Sequence, residues 1–363
     1  MIKGVVFRIY PNKIQKELIN RTIGCCRFVY NYGLAMRETS FSKGEKTNFA
    51  KTCRELTLLK RNKSYEFLNE VDSIALQQSL RDLDKAYQGY WKKQTNKPRF
   101  KKKHDLKQSY RTINQRDHIF FSGNYLKLPK LGYVKVKQSM DIGTIHNVTV
   151  KKSPTNKYYV VLTVEFEPLS KQNNNNQIGI DVGLKEFYTD SNNKKVNNPK
   201  YFEKSLKKLK REHRSLSRKQ LTSNNRNKQC IKVARVYEKI ANQRNDFLQK
   251  ESTKLIRENQ TICIEDLSID AMKRNHKLSK AISSVSWSRF FEMLEYKAKW
   301  YGNTVIRIPT FYPSSQVCCC CGYKNPLIKN LYIRKWKCPI CNAEHDRDHN
   351  ASINILKQGL ALA

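Results

Sequence analysis

Two Cys-x-x-Cys knuckles, Cys318/Cys321 and Cys338/Cys341, stand sixteen residues apart near the carboxy terminus. That spacing lets two tight turns close a tetrahedral four-thiolate zinc site. Cys319 and Cys320 fill the first knuckle, which would allow a shifted ligand pair, but only Cys318/Cys321 repeats the spacing of the second. The alternative is a disulfide cluster, against which the scatter of the remaining cysteines argues. With four protein ligands no position is left for water, so the expected Zn²⁺ stabilises the fold and does no chemistry. Seven residues after Cys341 comes Asp348, followed by Ile353, Ile355, Leu356 and Leu360 at roughly helical spacing. Taken alone, Asp348 also suits a helix cap or a first-turn charge that offsets the helix dipole.

Two further carboxylates sit in apolar runs. Ile178 to Val182 (IGIDV) reads as a strand interrupted by Asp181 and closed by Gly183, and Thr261 to Ile264 (TICI) as a buried strand that ends in Glu265 and Asp266. A carboxylate between β-branched residues on a central strand is expensive unless it binds something. A turn-forming Asp-Val-Gly is the other reading of Asp181. Of the second pair, Glu265 is the functional choice and Asp266 a solvated strand-end charge. Asp181, Glu265 and Asp348 are together the donor set for two Mg²⁺ ions, which in phosphodiester hydrolysis activate a water and stabilise the leaving oxygen.

The elements that must position these groups follow from periodicity. Gly4 to Tyr10 has strand composition, and helices are expected over Ile14 to Arg37 and over Val71 to Trp91, where Leu76, Leu80, Leu83, Tyr87 and Trp91 recur every three to four residues. The polar face of the second helix offers Gln77, Gln78 and Arg81, side chains able to reach base edges in a groove. After a basic run from Lys97 to Lys107, short strands are expected around 119–121, 125–128, 132–136, 148–150 and 158–166. They suggest a small antiparallel barrel or sandwich (1–10 plus 106–170) with the opening strand at one edge and a helical block (11–105) inserted. A polar linker, KQNNNNQ at 171–177, marks the boundary. Beyond it, one or two basic helices are expected within 201–250, an amphipathic helix from Trp287 that stops at Gly302, and a strand at Thr304 to Ile308. Alternating strands and helices argue α/β over 178–312 plus 343–363, with a zinc ribbon inserted at 313–342.

The charge names the partner class. With 70 Lys+Arg against 31 Asp+Glu the formal net charge is +39, which calls for a polyanion, and nucleic acid leads. No run of 18 or more apolar residues and no signal peptide are apparent, so no membrane partner and a cytoplasmic, reducing location are expected. Nineteen Tyr and fifteen Phe are interleaved with the basic residues; some can stack on bases, though most such aromatics are core.

Gly179 to Gly183 (GIDVG), Ile264 to Leu267 (IEDL), the paired knuckles and Asp346 to Ile355 (DRDHNASINI) resemble the split RuvC nuclease domain of the TnpB family, insertion-sequence-encoded proteins related to type V CRISPR effectors. The amino-terminal helical stretch is similar too, so the resemblance covers nearly the whole chain. It implies a RuvC domain of the RNase H type behind a wedge-like barrel and a helical recognition domain. It also implies a guide RNA transcribed from the transposon end, and cleavage of double-stranded DNA that pairs with the guide beside a short flanking motif. The catalytic and Mg²⁺-binding roles fall on Asp181, Glu265 and Asp348, and the zinc roles on Cys318, Cys321, Cys338 and Cys341. The competing expectations are a nuclease-inactive RNA-guided regulator and a transposase acting on its element's ends.

Overall fold

The computed structural model describes residues 1–105, 108–167 and 175–363, so most of the expected linker, 171–174, lies outside the described residues. The chain divides into two compact units, Met1–Glu167 and Pro168–Ala363.

The first unit opens with β1 (Ile2–Tyr10), whose Val5, Phe7 and Ile9 are buried and alternate with exposed neighbours, the period of a strand with one covered face. Helices α1 (Lys13–Ser42), α2 (Phe49–Arg61) and α3 (Ser73–Trp91) follow, with a 3-10 segment at Lys63–Asn69 between the last two. α1 starts at a capping box: Asn12 accepts from the Gln15 backbone N–H, and the Gln15 side chain accepts from that of Asn12. The Gln15 amide also donates to the carbonyls of Leu131 and Tyr133, pinning the helix start to the sheet. Strands β2 (Gln108–Ile113), β3 (Phe121–Ser122), β4 (Tyr125–Leu128), β5 (Gly132–Val136), β6 (Ile145–Lys152) and β7 (Tyr158–Glu165) complete the unit. They join β1 in one antiparallel sheet of order β2-β6-β7-β1-β5-β4-β3.

Two expectations are corrected here. β1 is interior, not an edge: it pairs with β7 from Ile2↔Glu165 to Ile9↔Tyr158 and with β5 at Ile9↔Val136. The β4–β5 hairpin folds back and takes up backbone groups that an edge strand would leave open. Gln78 does not belong to a solvent face. It is 6% exposed, because α1, α2 and β2 all pack on α3 and widen its covered arc beyond the Leu76, Leu80, Leu83, Tyr87 stripe. Gln77 and Arg81 are exposed, and the Arg81 guanidinium lies 4.9 Å from the Phe49 ring centroid.

The second unit contains β8 (Gln177–Val182), β9 (Glu186–Asp190), β10 (Lys195–Asn197), helices α4 (Tyr201–Ser217) and α5 (Asn224–Glu258), and β11 (Thr261–Glu265). Next come α6 (Ile269–Met272), α7 (His276–Val285), α8 (Trp287–Tyr301) and β12 (Thr304–Ile308), then the hairpin of β13 (Lys335–Lys337) and β14 (Glu344–Asp346), and α9 (Arg347–Leu360). Its sheet runs β10-β9-β8-β11-β12, antiparallel among the first three and parallel from β8 onward, which puts β8 at the centre. Ile178, Ile180, Ile262 and Ile264 face a core closed by Phe290, Phe291 and Leu294 of α8 and Leu255 of α5. The opposite face, with Cys263 and Ile308, is covered by Ile355 of α9. Thus α9 lies against the sheet, and it lies close. A Cβ on Gly179 would overlap the Ser352 carbonyl oxygen and come within 2.7 Å of the Leu356 nitrogen, so only glycine at that strand position admits the helix.

Candidate active site and metal centre

Strand alternation brings the acids to one face. Ile180 and Ile264 are register partners on the neighbouring parallel strands β8 and β11, and both point into the core. The next residues, Asp181 and Glu265, therefore point to the opposite face, that of Gly179 and Cys263, on which α9 packs. Along α9, Asp348, Ser352 and Leu356 recur every four residues and so share a face. Ser352 and Leu356 lie over Gly179. One turn back toward the start of α9, about 6 Å, reaches Asp348, just as two residues along β8, about 7 Å, reach Asp181.

The electrostatics agree with this placement. Burial pushes the Asp181 carboxyl well above its ordinary range, the charges of Glu265 and then Asp348 push it further, and Arg347 and Arg334 oppose the rise. Burial also raises Glu265, against a hydrogen bond from the Ser314 hydroxyl to its Oε1 at 2.5 Å. Arg334 Nη1 lies 3.4 Å from Asp348 Oδ1. Among the described residues, the groups of ligand atoms that all lie within 4.8 Å of one another contain cysteine and histidine, not these three acids.

The cap at the start of α9 is Asp346, not Asp348. Its side chain accepts from the backbone N–H groups of Asp348 and His349 at 3.2 Å each, and Lys195 Nζ pairs with it at 2.8 Å. Asp348 is left in the first helical turn with its carboxylate uncommitted to the backbone. Asp266 is likewise spoken for, by Arg307 at 2.9 Å and the Thr310 hydroxyl at 3.1 Å.

The Sγ atoms of Cys318, Cys321, Cys338 and Cys341 all lie within 4.8 Å of one another, with Cys318–Cys341 and Cys321–Cys338 each at 3.6 Å. A tetrahedron with Zn–S bonds of about 2.3 Å has edges of about 3.8 Å, so the four thiols fit one zinc. Both knuckles are the same turn. Gly322 and Asn342 donate to the carbonyls of Cys318 and Cys338, Cys318 and Cys338 donate to those of Tyr323 and Ala343, and Gly322 (φ +78°) and Asn342 (φ +56°) are left-handed. This repetition favours Cys318/Cys321 over a shifted pair, although Cys318, Cys320 and His345 also approach one another within 4.8 Å. The cysteines are free, with no disulfide cluster among them.

Sequence reasoning missed what joins the two centres. Asn350 donates to the Val317 carbonyl at 2.7 Å and accepts from the Cys319 N–H at 2.9 Å, and Asn354 donates to the carbonyls of Ser314 and Val317. The spacing of the two asparagines, one helical turn apart, was the available signal; it is the fold that buries both. Ser314 carried none.

The fold defines a class, a mixed α+β multidomain protein. Over 98% of both chains it superposes, with a TM-score of 0.63 and 11% identity, on the protein of a solved structure titled "Cryo-EM structure of the Cas12f1-sgRNA-target DNA complex". Family models match residues 1–46 ("Helix-turn-helix domain"), 146–276 ("Probable transposase", of the IS605 OrfB type) and 287–355 ("Cas12f1-like, TNB domain"). A Streptomyces pristinaespiralis protein named "Putative RNA-guided DNA endonuclease" is 35% identical over 98% of this chain and 89% of its own. Escherichia coli K12 "Putative RNA-guided DNA endonuclease InsQ" is 31% identical over 99% and 93%, and the "TnpB-like protein L79" of Acanthamoeba polyphaga mimivirus is 24% identical over 99% and 74%. The chain belongs to the TnpB family.

Proposed function

We propose that Asp181, Glu265 and Asp348 are the catalytic, Mg²⁺-binding residues of an RNA-guided DNA endonuclease encoded by an insertion sequence. The observation that carries this reading is the convergence of three carboxylates from β8, β11 and α9 on one face of the sheet, in a chain of net charge +39. Two Mg²⁺ ions, when bound, supply an activated water and stabilise the leaving oxygen.

The protein's own residues hold and orient. Asp181 occupies the middle of the set, flanked by Glu265 from the adjacent strand and Asp348 from the helix. Ser314 fixes the Glu265 carboxylate through its hydroxyl. Arg334 and Arg347, whose charges act on Asp181, are placed to attract the scissile phosphate. Cys318, Cys321, Cys338 and Cys341 hold one structural Zn²⁺.

In this reading the strand order around β8, with α9 on one face, is that of a RuvC domain of the RNase H type, formed by 178–312 and 343–363 and interrupted by the zinc ribbon at 313–342. The strands of 1–10 and 106–170 form the wedge-like domain and 11–105 the recognition helices, where exposed Gln77 and Arg81 are candidates for contact with the flanking motif. The partners are a guide RNA from the transposon end and double-stranded target DNA. Base pairing selects the sequence while the protein reads a short duplex motif and the heteroduplex shape. One site cuts both strands in turn.

The test is to copurify the protein with RNA transcribed from the element's downstream flank and offer a matching DNA duplex. Mg²⁺-dependent breaks without strand-transfer products are expected. Asp181→Ala should abolish cutting and leave RNA and DNA binding intact, and a variant that still cuts at the wild-type rate removes Asp181 from the site.

A further inference from the structure

The helical hairpin of α4 and α5 carries a feature the cleavage chemistry does not use. Leu209 of α4 is buried against Val233, Val236 and Ile240 of α5, which fixes which face of α4 looks outward. On that outward face Lys204, Lys207, Lys208, Arg211, Arg214 and Arg218 recur at spacings of three and four and are exposed. They form one stripe about 21 Å long at 1.5 Å per residue, and line a shallow open depression with Ser215.

Like charges three and four apart on a helix repel, and acids would normally be interleaved to relieve them. Here they are not. Of the two acids on α4, Glu203 sits in the first turn, where it suits the helix dipole. Glu212 turns toward α5, accepting from the Gln229 amide at 2.8 Å, and reaches only Arg211, at 3.4 Å. The stripe offers no aromatic ring as a stacking platform for unpaired bases. What remains is a straight row of cations that can meet a regular row of phosphates.

We propose that the α4 stripe binds the phosphate backbone of a double-helical nucleic acid, independently of its sequence. This deepens the nucleic-acid-binding part of the proposed function and is independent of the carboxylates. A protein unable to cut would still display it.

The test uses the full-length chain stripped of nucleic acid in high salt, titrated with three probes of one sequence: an RNA hairpin, a DNA duplex and an RNA–DNA hybrid. Replacing three contacts together, as Lys207→Gln, Arg211→Gln and Arg214→Gln, should lower the slope of log K against log [salt] by about 0.9 per lost phosphate contact, roughly 2.7 in all on duplex DNA. The loss should be equal across unrelated sequences. A second variant, Lys207→Arg, Arg211→Lys and Arg214→Lys, keeps the charges and should keep the slope. A drop confined to the hairpin assigns the stripe to structured RNA, one confined to the DNA duplex to target DNA, and one confined to the hybrid to the guide–target heteroduplex; each supports the proposal. An unchanged slope on all three probes, or an equal loss in the charge-keeping variant, overturns it.

Discussion

At the scale of single residues, the acids of the candidate site are held by partners that are not acids. The buried Ser314 hydroxyl donates to Glu265 Oε1 at 2.5 Å. Outer-shell bonds of this kind orient a metal-binding carboxylate, and losing one typically lowers metal affinity or activity about 10–100-fold. Ser314→Ala should therefore slow single-turnover cutting by that range with RNA affinity unchanged, and Ser314→Thr should restore much of it; equal rates in wild type and Ser314→Ala would remove Ser314 from this role. Lys297 presents a different case. It is buried, facing the Gln249 carbonyl and the Ser252 and Thr253 hydroxyls at 2.7–2.9 Å, and burial lowers its pKa to about 8. Because the folded pKa lies below the unfolded one, near 10.5, the unfolded chain binds more protons in between, and folding gains stability as pH rises from about 8. Wild type should thus gain denaturant stability relative to Lys297→Met between pH 8 and 10. A difference that stays constant over that range would show that Lys297 is not desolvated.

Among elements, the decisive contact is α9 on β8. Asp348 reaches the sheet only because the helix backbone approaches Gly179 so closely. Gly179→Ala should force α9 outward, destabilising the second unit by about 1–3 kcal/mol, the usual range for an overpacked interior. It should reduce cutting more than a surface change of equal stability effect, since Asp348 moves with the helix. Urea melts read beside cleavage rates test this, and an unperturbed midpoint with full activity would mean that α9 does not sit as described. The two knuckles matter for the same helix. Asn350 and Asn354 tie its buried face to Val317 and Cys319 of the cysteine segment.

For the molecule as a whole, that tie predicts that a metal centre with no chemistry of its own still governs cutting. Stepwise chelation, followed by both zinc content and cleavage, should show the two falling together, with more than tenfold loss of cutting once the zinc is gone. Full activity after complete zinc removal would uncouple the ribbon from the acids. The net charge of +39 acts at this scale too. It makes every affinity salt-dependent, so binding comparisons among variants hold only at one ionic strength.

Much could be read from the chain alone because it depends on local chemistry. Two Cys-x-x-Cys knuckles make the same turn wherever they fold, period-two runs make strands, and a charge excess of this size requires a polyanion. The α3 core stripe and the stop of α8 at Gly302 are local in the same sense. Other features depend on which segments meet, and composition does not carry that. The interior place of β1 is decided by β5 returning from a hairpin more than 120 residues later. Gln78 is buried because three elements, not one, pack on α3. The roles of Asp346 and Asp348 separate only when one carboxylate is seen to accept the helix's first N–H groups and the other to act on Asp181. Ser314 and the two asparagines are ordinary polar residues until the fold buries them, where each polar atom must find a partner, and here those partners connect the cysteine cluster to the acids.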